Sequence, residues 1–256
     1  KANTDSNGQK WVPRAGLVYR YTDELSFYGS YTESFKPNST IAPLSGSSTV
    51  LDGSIAPEEA KSWEVGARLE MPGRVTGNIA LFDINKRNVL VANSEGPVTL
   101  YSAAGEVRSR GLEVDLSGQL SDRWSMIGSY AYTDAEVTED PVYKGKQLQN
   151  VARNSGSLSA VYDFGSLIGG DQLRVGAGAR YVGERAGNAV NDFDLPSYTV
   201  ADAFATYDTQ LDGQRVKFQL NVKNLFDRTY YTSAASRFFV SMGDSRQVTL
   251  SSTLEF

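Results

Sequence analysis

The sequence predicts an all-β fold, an antiparallel up-and-down transmembrane β-barrel, and three observations carry that prediction. Apolar and polar residues alternate with period two along about eleven segments, which gives each strand one greasy and one wet face. The segments are joined by connections that run short, long, short, long without a break, as turns on one side of a membrane and loops on the other would. Aromatic residues gather near both kinds of connection, where two interfacial girdles belong.

The first strand is expected over Val12 to Tyr21, with Ala15, Leu17, Tyr19 and Tyr21 opposed to Arg14, Gly16 and Arg20. Thr22-Asp23-Glu24 turns it into a second strand from Leu25 to about Tyr31, and a Pro- and Ser-rich long loop follows from Ser34 to Glu59. The third strand sets Trp63, Val65, Ala67, Leu69 and Met71 against Ser62, Glu64, Gly66, Arg68 and Glu70, ending at the turn Pro72-Gly73-Arg74. The fourth runs from about Val75 to Val91, with its alternation blurred between Phe82 and Asn88, and Asn93 to Thr99 reads as loop. In the fifth, Leu112, Val114, Leu116 and Leu120 oppose Glu113, Asp115, Ser117 and Gln119 before the turn Ser121-Asp122-Arg123.

The sixth strand carries Trp124, Met126, Tyr130 and Tyr132 on its apolar face, and the acidic stretch Asp134 to Gln149 reads as the next long loop. The seventh spans Asn154 to Phe164 and turns at Gly165, Gly169 and Gly170. In the eighth, Leu173, Val175, Ala177, Ala179 and Tyr181 oppose Arg174, Gly176, Gly178 and Arg180, before a loop from Gly183 to Pro196. The ninth, Tyr198 to Asp208, is ambiguous in facing because Phe204 shares a side with Asp202 and Thr206. The tenth opposes Val216, Phe218, Leu220 and Val222 to Lys217, Gln219, Asn221 and Lys223, and after a loop from Asp227 to Gly243 the last strand, Arg246 to Phe256, ends on an aromatic. The girdles are expected at Tyr19, Tyr21, Trp124, Tyr162, Phe164, Tyr207 and Phe256 near short turns, and at Trp63, Tyr132 and Tyr181 near long loops. A soluble barrel of this many strands would enclose more volume than these small and medium side chains fill.

Composition excludes several functions. Hydrophobic content is 40%, and no run approaches the roughly 18 apolar residues of a membrane helix, whereas strands expose only alternate residues to lipid. The chain has neither cysteine nor histidine, so disulfides, thiolate metal sites and every Ser-His or Cys-His nucleophile are out. The remaining carboxylates do not make an enzyme by themselves. A net charge of -5 argues against nucleic acid as partner. The acidic run DAEVTED (Asp134 to Asp140) lacks the ligand spacing and glycine of a calcium loop. Inward charges such as Glu64, Arg68, Glu113, Asp115, Arg174, Arg180, Lys217 and Lys223 read as a hydrated lumen wall, and Asn224-Leu225-Phe226-Asp227 as backbone-bonding residues at the end of a strand.

Asn221 to Tyr231 reads NVKNLFDRTYY and Gly243 to Phe256 reads GDSRQVTLSSTLEF. Together they resemble the C-terminal signature of TonB-dependent outer-membrane receptors. SYTESFKP (Ser30 to Pro37), Pro57-Glu58 with Trp63-Glu64-Val65-Gly66, ALFDINKRN (Ala80 to Asn88), RSRGLE (Arg108 to Glu113), and SYAYTD (Ser129 to Asp134) with Tyr143-Lys144-Gly145 follow in the same order. The likeness is strongest to the ferric-siderophore branch, the ferrichrome or hydroxamate type.

The resemblance implies that residues 1–256 form the C-terminal part of a barrel of about 22 strands around a plug. The plug and the N-terminal barrel half are expected elsewhere in the same polypeptide. An odd strand count with a polar Lys1 to Lys10 feeding a descending strand points the same way. The implied function is uptake of ferric siderophores by TonB-coupled transport in the outer membrane of a Gram-negative bacterium, with a passive porin as the alternative. The implied partners are the siderophore, outer-membrane lipid, the plug and the TonB complex; iron travels inside the ligand, with no protein cofactor. Aromatic side chains on long loops suit the organic shell of such a chelate. Phe35, Tyr101, Tyr143, Tyr230, Tyr231, Phe238 and Phe239 are the candidates.

Overall fold

A computed structural model describes residues 9–37, 49–51, 56–95 and 98–255. Its strands are β1 (Arg14–Arg20), β2 (Leu25–Lys36), β3 (Thr49–Leu51), β4 (Glu58–Glu70), β5 (Val75–Glu95), β6 (Val98–Gln119), β7 (Trp124–Glu139) and β8 (Asn154–Ser166). They continue as β9 (Gln172–Val182), β10 (Arg185–Ala186), β11 (Asp194–Leu195), β12 (Tyr198–Leu211), β13 (Gln214–Lys223), β14 (Tyr231–Ser236), β15 (Phe239–Met242) and β16 (Gln247–Glu255). One sheet path runs β1-β2-β4-β5-β6-β7-β8-β9-β12-β13-β16, every pair antiparallel. These are the eleven expected strands in chain order.

The registers place the alternating residues in two continuous layers. One row crosses the sheet as Val65, Leu81, Leu112 and Tyr132, and another as Trp124, Tyr162, Val175, Ala205, Leu220 and Leu250. This is the apolar face. The opposite face carries Glu64, Arg68, Glu113, Asp115, Arg174, Arg180, Lys217 and Lys223, all on one side as their alternation predicts. The pairing Phe204↔Gly176 puts Phe204 among these polar residues and settles the facing of β12. Its ring lies flat where a Cβ on Gly176 would sit, and Tyr28 over Gly66 and Phe82 over Gly111 repeat the device. Ring over cross-strand glycine lets a large side chain rest on the polar face without projecting from it.

The short turns close by local chemistry. Thr22 Oγ1 accepts from Glu24 N and Leu25 N, and Ser121 Oγ accepts from Arg123 N and Trp124 N. Asp212 and Gly213 both have positive φ, 51° and 83°, the pair a two-residue hairpin with right-handed strand twist demands. Beside the turns Trp124, Tyr162 and Phe164 stack with ring centroids 4.9 and 4.7 Å apart, and near the long loops Tyr31 and Trp63 meet at 4.4 Å. Both girdles are therefore populated, although Phe256 lies outside the described residues.

Several expected loops are partly strand. The stretch Asn93–Thr99 is no simple loop, because β5 continues to Glu95 and β6 begins at Val98. The acidic stretch from Asp134 continues β7 to Glu139; Asp134 pairs with Arg110 at 3.1 Å, so the carboxylates there meet cations across the ladder. The second strand likewise extends to Lys36 and the third starts at Glu58. The blurred facing of Phe82 to Asn88 has two physical causes: Asp83 and Asn85, in the alternation of Leu81, stand opposite Arg110 and Arg108, and after Lys86 the register shifts at a bulge in which Asn88 takes φ 57°. β3 runs parallel to β6 as a side branch that the up-and-down pattern did not anticipate.

Candidate functional site

The long-loop end of the sheet is where the described loops converge, and the end of β13 shows how. Asn224 is buried with φ 48°, a left-handed conformation that asparagine tolerates. Its backbone N–H donates to Asp202 Oδ1 at 2.7 Å, its Nδ2 to the carbonyls of Arg228 and Asp244, and its Oδ1 accepts from Arg228 N. Asp227 Oδ1 accepts from Arg246 N at 2.9 Å. The two halves of the C-terminal signature thus close the base of one loop, which gives the motif the structural role its residue types predict. Tyr230 completes the base: its ring occupies the space a Cβ on Gly243 would need, and its carbonyl accepts from Gly243 N.

Tyr230 packs on Tyr198 at 4.7 Å, and these rings, Val200 and Val182 form a small core. Over the Tyr198 ring lies Arg185, only 2% exposed, with its guanidinium carbon 5.5 Å from the centroid. Arg185 donates to the carbonyls of Tyr231 at 2.6 Å, Thr232 at 3.0 Å and Gly183 at 3.4 Å, and has no ion-pair partner among the described residues. Burial pulls its pKa below the usual guanidinium range, but a guanidinium remains charged at any physiological pH. A buried cation held by backbone carbonyls here joins the 183–197 loop to the β14–β15 hairpin.

Gln149 and Asn150 add the third loop. Gln149 Nε2 donates to Gly187 O and Ala234 O, while Asn150 both donates to Ala234 O and accepts from Ala234 N, each at 2.9 Å. Asn150 thereby pairs with the hairpin edge as a strand residue would. Arg237 reaches back to Asp192 O at 2.7 Å and lies over the Phe193 ring at 5.6 Å. The segments 140–153, 183–197 and 224–246 form one knitted cap from which Phe238, 92% exposed, and Phe239, 73% exposed, project at the hairpin tip. Asn150→Ala is expected to lower the local stability of the cap by about 1–2 kcal/mol. Faster amide hydrogen exchange at Ala234, with β13 and β16 unaffected, is the measurement.

The candidate aromatics do not gather in one place. Tyr230, Tyr231, Phe238 and Phe239 share the last loop, Tyr230 buried as an anchor and Tyr231 half-buried with its carbonyl on Arg185. Tyr143, half-buried, sits in the neighbouring turn, where its N–H donates to Asp140 Oδ1. Phe35 lies toward the end of β2, in the same alternation as Tyr31 on the apolar face. The backbone of Tyr101 belongs to β6, and its side chain lies outside the described residues. Among the described residues no three metal-ligating side chains converge.

The family model for the TonB-dependent receptor-like β-barrel matches residues 1–225. The chain belongs to the TonB-dependent receptors. It is 39% identical over 250 residues to the metal-pseudopaline receptor CntO of Pseudomonas aeruginosa, covering 96% of this chain and 33% of that protein. It is 38% identical over 262 residues to the ferrichrome outer membrane transporter/phage receptor of Escherichia coli, covering 99% and 33%. Its fold matches the crystal structure of the siderophore receptor PiuA from Acinetobacter baumannii with a TM-score of 0.79 at 28% identity, over 94% of this chain and 35% of that one. The chain spans about a third of the length of these relatives. As part of a TonB-dependent receptor barrel, the polar face of the sheet is the lumen wall and the apolar face the outside. Arg185, Gln149 and Asn150 escaped the sequence reading because a polar residue in a polar loop carries no periodic signal.

Proposed function

We propose that this chain forms the C-terminal wall of a receptor that takes up ferric siderophores through the outer membrane of a Gram-negative bacterium, driven by the TonB complex. The carrying observation is the cap: three loops locked into one body present exposed aromatic rings above a polar lumen wall. A chelate that wraps its iron in an organic shell offers apolar and neutral hydrogen-bonding surface to such rings. Phe238 and Phe239 are the contacts we favour, with Tyr231 and Tyr143 beside them and Tyr230 holding the loop. The named relatives are receptors for a metal-pseudopaline complex and for ferrichrome, and the structural match is a siderophore receptor, which supports the same reading. Among the described residues β1 and β16 each pair on one side only, and an open sheet edge in lipid costs several kcal/mol per unsatisfied group. We assign to the same polypeptide the remaining wall that would pair these edges and the plug that the family implies.

The test uses the full-length receptor in an iron-starved, receptor-deleted Gram-negative host with a panel of radiolabelled ferric hydroxamates. Uptake that requires TonB, with binding retained when TonB is deleted, is the expected result. Phe238→Ala with Phe239→Ala should weaken binding about tenfold or more, a loss of at least roughly 1.4 kcal/mol. Uptake that continues at the same rate without TonB would instead establish a passive porin.

A further inference from the structure

The apolar face is not uniformly convex. Ala160 and Ala177 lie directly opposite each other in the β8–β9 ladder, and Ala203 opposes Ala177 on β12. Small side chains on three adjacent strands recess the surface. One row nearer the short turns, Trp124, Tyr162 and Val175 stand side by side, and Phe164 rises edge-on against Tyr162. The result is a cleft of about 510 Å³ lined by these rings, Val175, Gly176, Ala160 and Ala177, with no charged side chain in its walls. From Ala160 to Phe164 it follows four residues of strand, roughly 13 Å. Behind it Gly176 is backed by the Phe204 ring on the lumen side, so the floor has no room to move inward.

Among the described residues one cation, Arg123, bonds a ring of this trough, at its turn-side end. Arg123, in the exposed turn before β7, donates from Nη1 to the Tyr162 hydroxyl at 3.3 Å, which raises its pKa further and fixes the guanidinium at the level of the aromatic girdle. Asp163 lies within electrostatic reach with its Oδ1 accepting from Gly165 N, and Arg123 also borders, with Asp163, Arg174 and Lys217, a pocket on the polar face, so its guanidinium stands at the rim between the two faces. No ion pair engages Arg123 among the described residues, and a guanidinium has further N–H donors to offer.

We propose that this cleft seats one phospholipid of the periplasmic leaflet, with an acyl chain along Ala160 and Ala177 and the headgroup phosphate on Arg123. The proposal rests on the reading above that the apolar face meets lipid. An amphiphile with an apolar tail and an anionic head is the chemistry that a dry trough with one terminal cation complements, and an Arg–phosphate bond at the girdle would be of the strong, charge-assisted kind. Unlike ordinary annular lipid, a chain lying in the recess gains contact on three sides.

The experiment reconstitutes the full-length receptor in nanodiscs with phosphatidylglycerol that carries a photoreactive diazirine in its acyl chain, and maps adducts by peptide mass spectrometry. Labelling of residues 158–164 and 173–179 at least fivefold above the apolar face of β4 is expected. Ala177→Phe, which fills the recess, should abolish the excess, whereas Ala67→Phe on the apolar face of β4 should not. Arg123→Gln, on an exposed turn, should lower it at least threefold. Even labelling over the whole apolar face, or an excess untouched by Ala177→Phe, overturns the seat and leaves the lipid-facing reading intact. An excess that survives Arg123→Gln overturns the headgroup assignment. Adducts confined to the lumen-side residues overturn the seat together with the facing on which it rests.

Discussion

Leu220→Arg is expected to destabilise the barrel by about 2–4 kcal/mol, whereas Gln219→Arg, one residue away, should change stability by less than about 1 kcal/mol. Leu220 lies in the apolar row between Ala205 and Leu250, so on the proposed lipid-facing reading an arginine there would place its charge among hydrocarbon. Gln219 pairs with Thr206 and Ser251 on the lumen side, where its Nε2 donates to Asn221 Oδ1 at 3.1 Å. Water and polar neighbours there accept a guanidinium at little expense. The comparison is made by equilibrium urea unfolding of the full-length receptor in detergent micelles. Equal losses at the two positions would show that β13 does not separate lipid from lumen.

The same alternation made most of the fold legible before any coordinates. A strand with one face in hydrocarbon and one in water writes its orientation into every second residue, and β9, β13 and the half of β6 from Leu112 onward are read without ambiguity for that reason. Legibility failed where another force sets the residue type. At the bulge of Asn88 two residues oppose one, and the alternation changes phase. In the outer half of β7, Asp134 and Glu136 look like loop residues, but they stand opposite Arg110 and Arg108 beyond the apolar rows, where the face that was apolar becomes charged while Ala135 and Val137 take the other face, and charge no longer means exposure to a loop. Strand length there is set by pairing between neighbours, which a linear pattern does not contain.

The cap was legible only at its base. Asn224, Asp227, Gly243 and Arg246 stood out as a spaced signature, and the structure shows each of them bonding backbone across the loop closure. What joins one loop to the next is another matter. Gln149 and Asn150 reach Ala234 across about 84 residues of chain, and Arg185 reaches Tyr231 and Thr232 across some 46. Contacts of that range leave no trace in spacing or composition. The exposed rings Phe238 and Phe239 were nameable as loop aromatics, while the rigidity that presents them comes from polar residues that sequence reasoning had no ground to choose.

The flattened rings of the lumen wall lead to the second large effect. Gly176→Ala is expected to cost about 2–3 kcal/mol, because the three atoms nearest its new methyl all belong to the Phe204 ring. Phe204→Ala removes the obstacle. The pair should therefore be strongly coupled, with the double variant more stable than the sum of the single losses by at least about 1.5 kcal/mol. Gly111→Ala is the control that separates ring crowding from backbone crowding. Its methyl would meet the Phe82 ring but also the carbonyl oxygen of Tyr132, and a neighbouring strand in a continuous ladder does not yield as a side chain does. Phe82→Ala should accordingly give no comparable rescue. Coupling energies of the same size at the two sites, measured by the same urea unfolding, would show that the cross-strand rings do not determine where this lumen wall needs glycine.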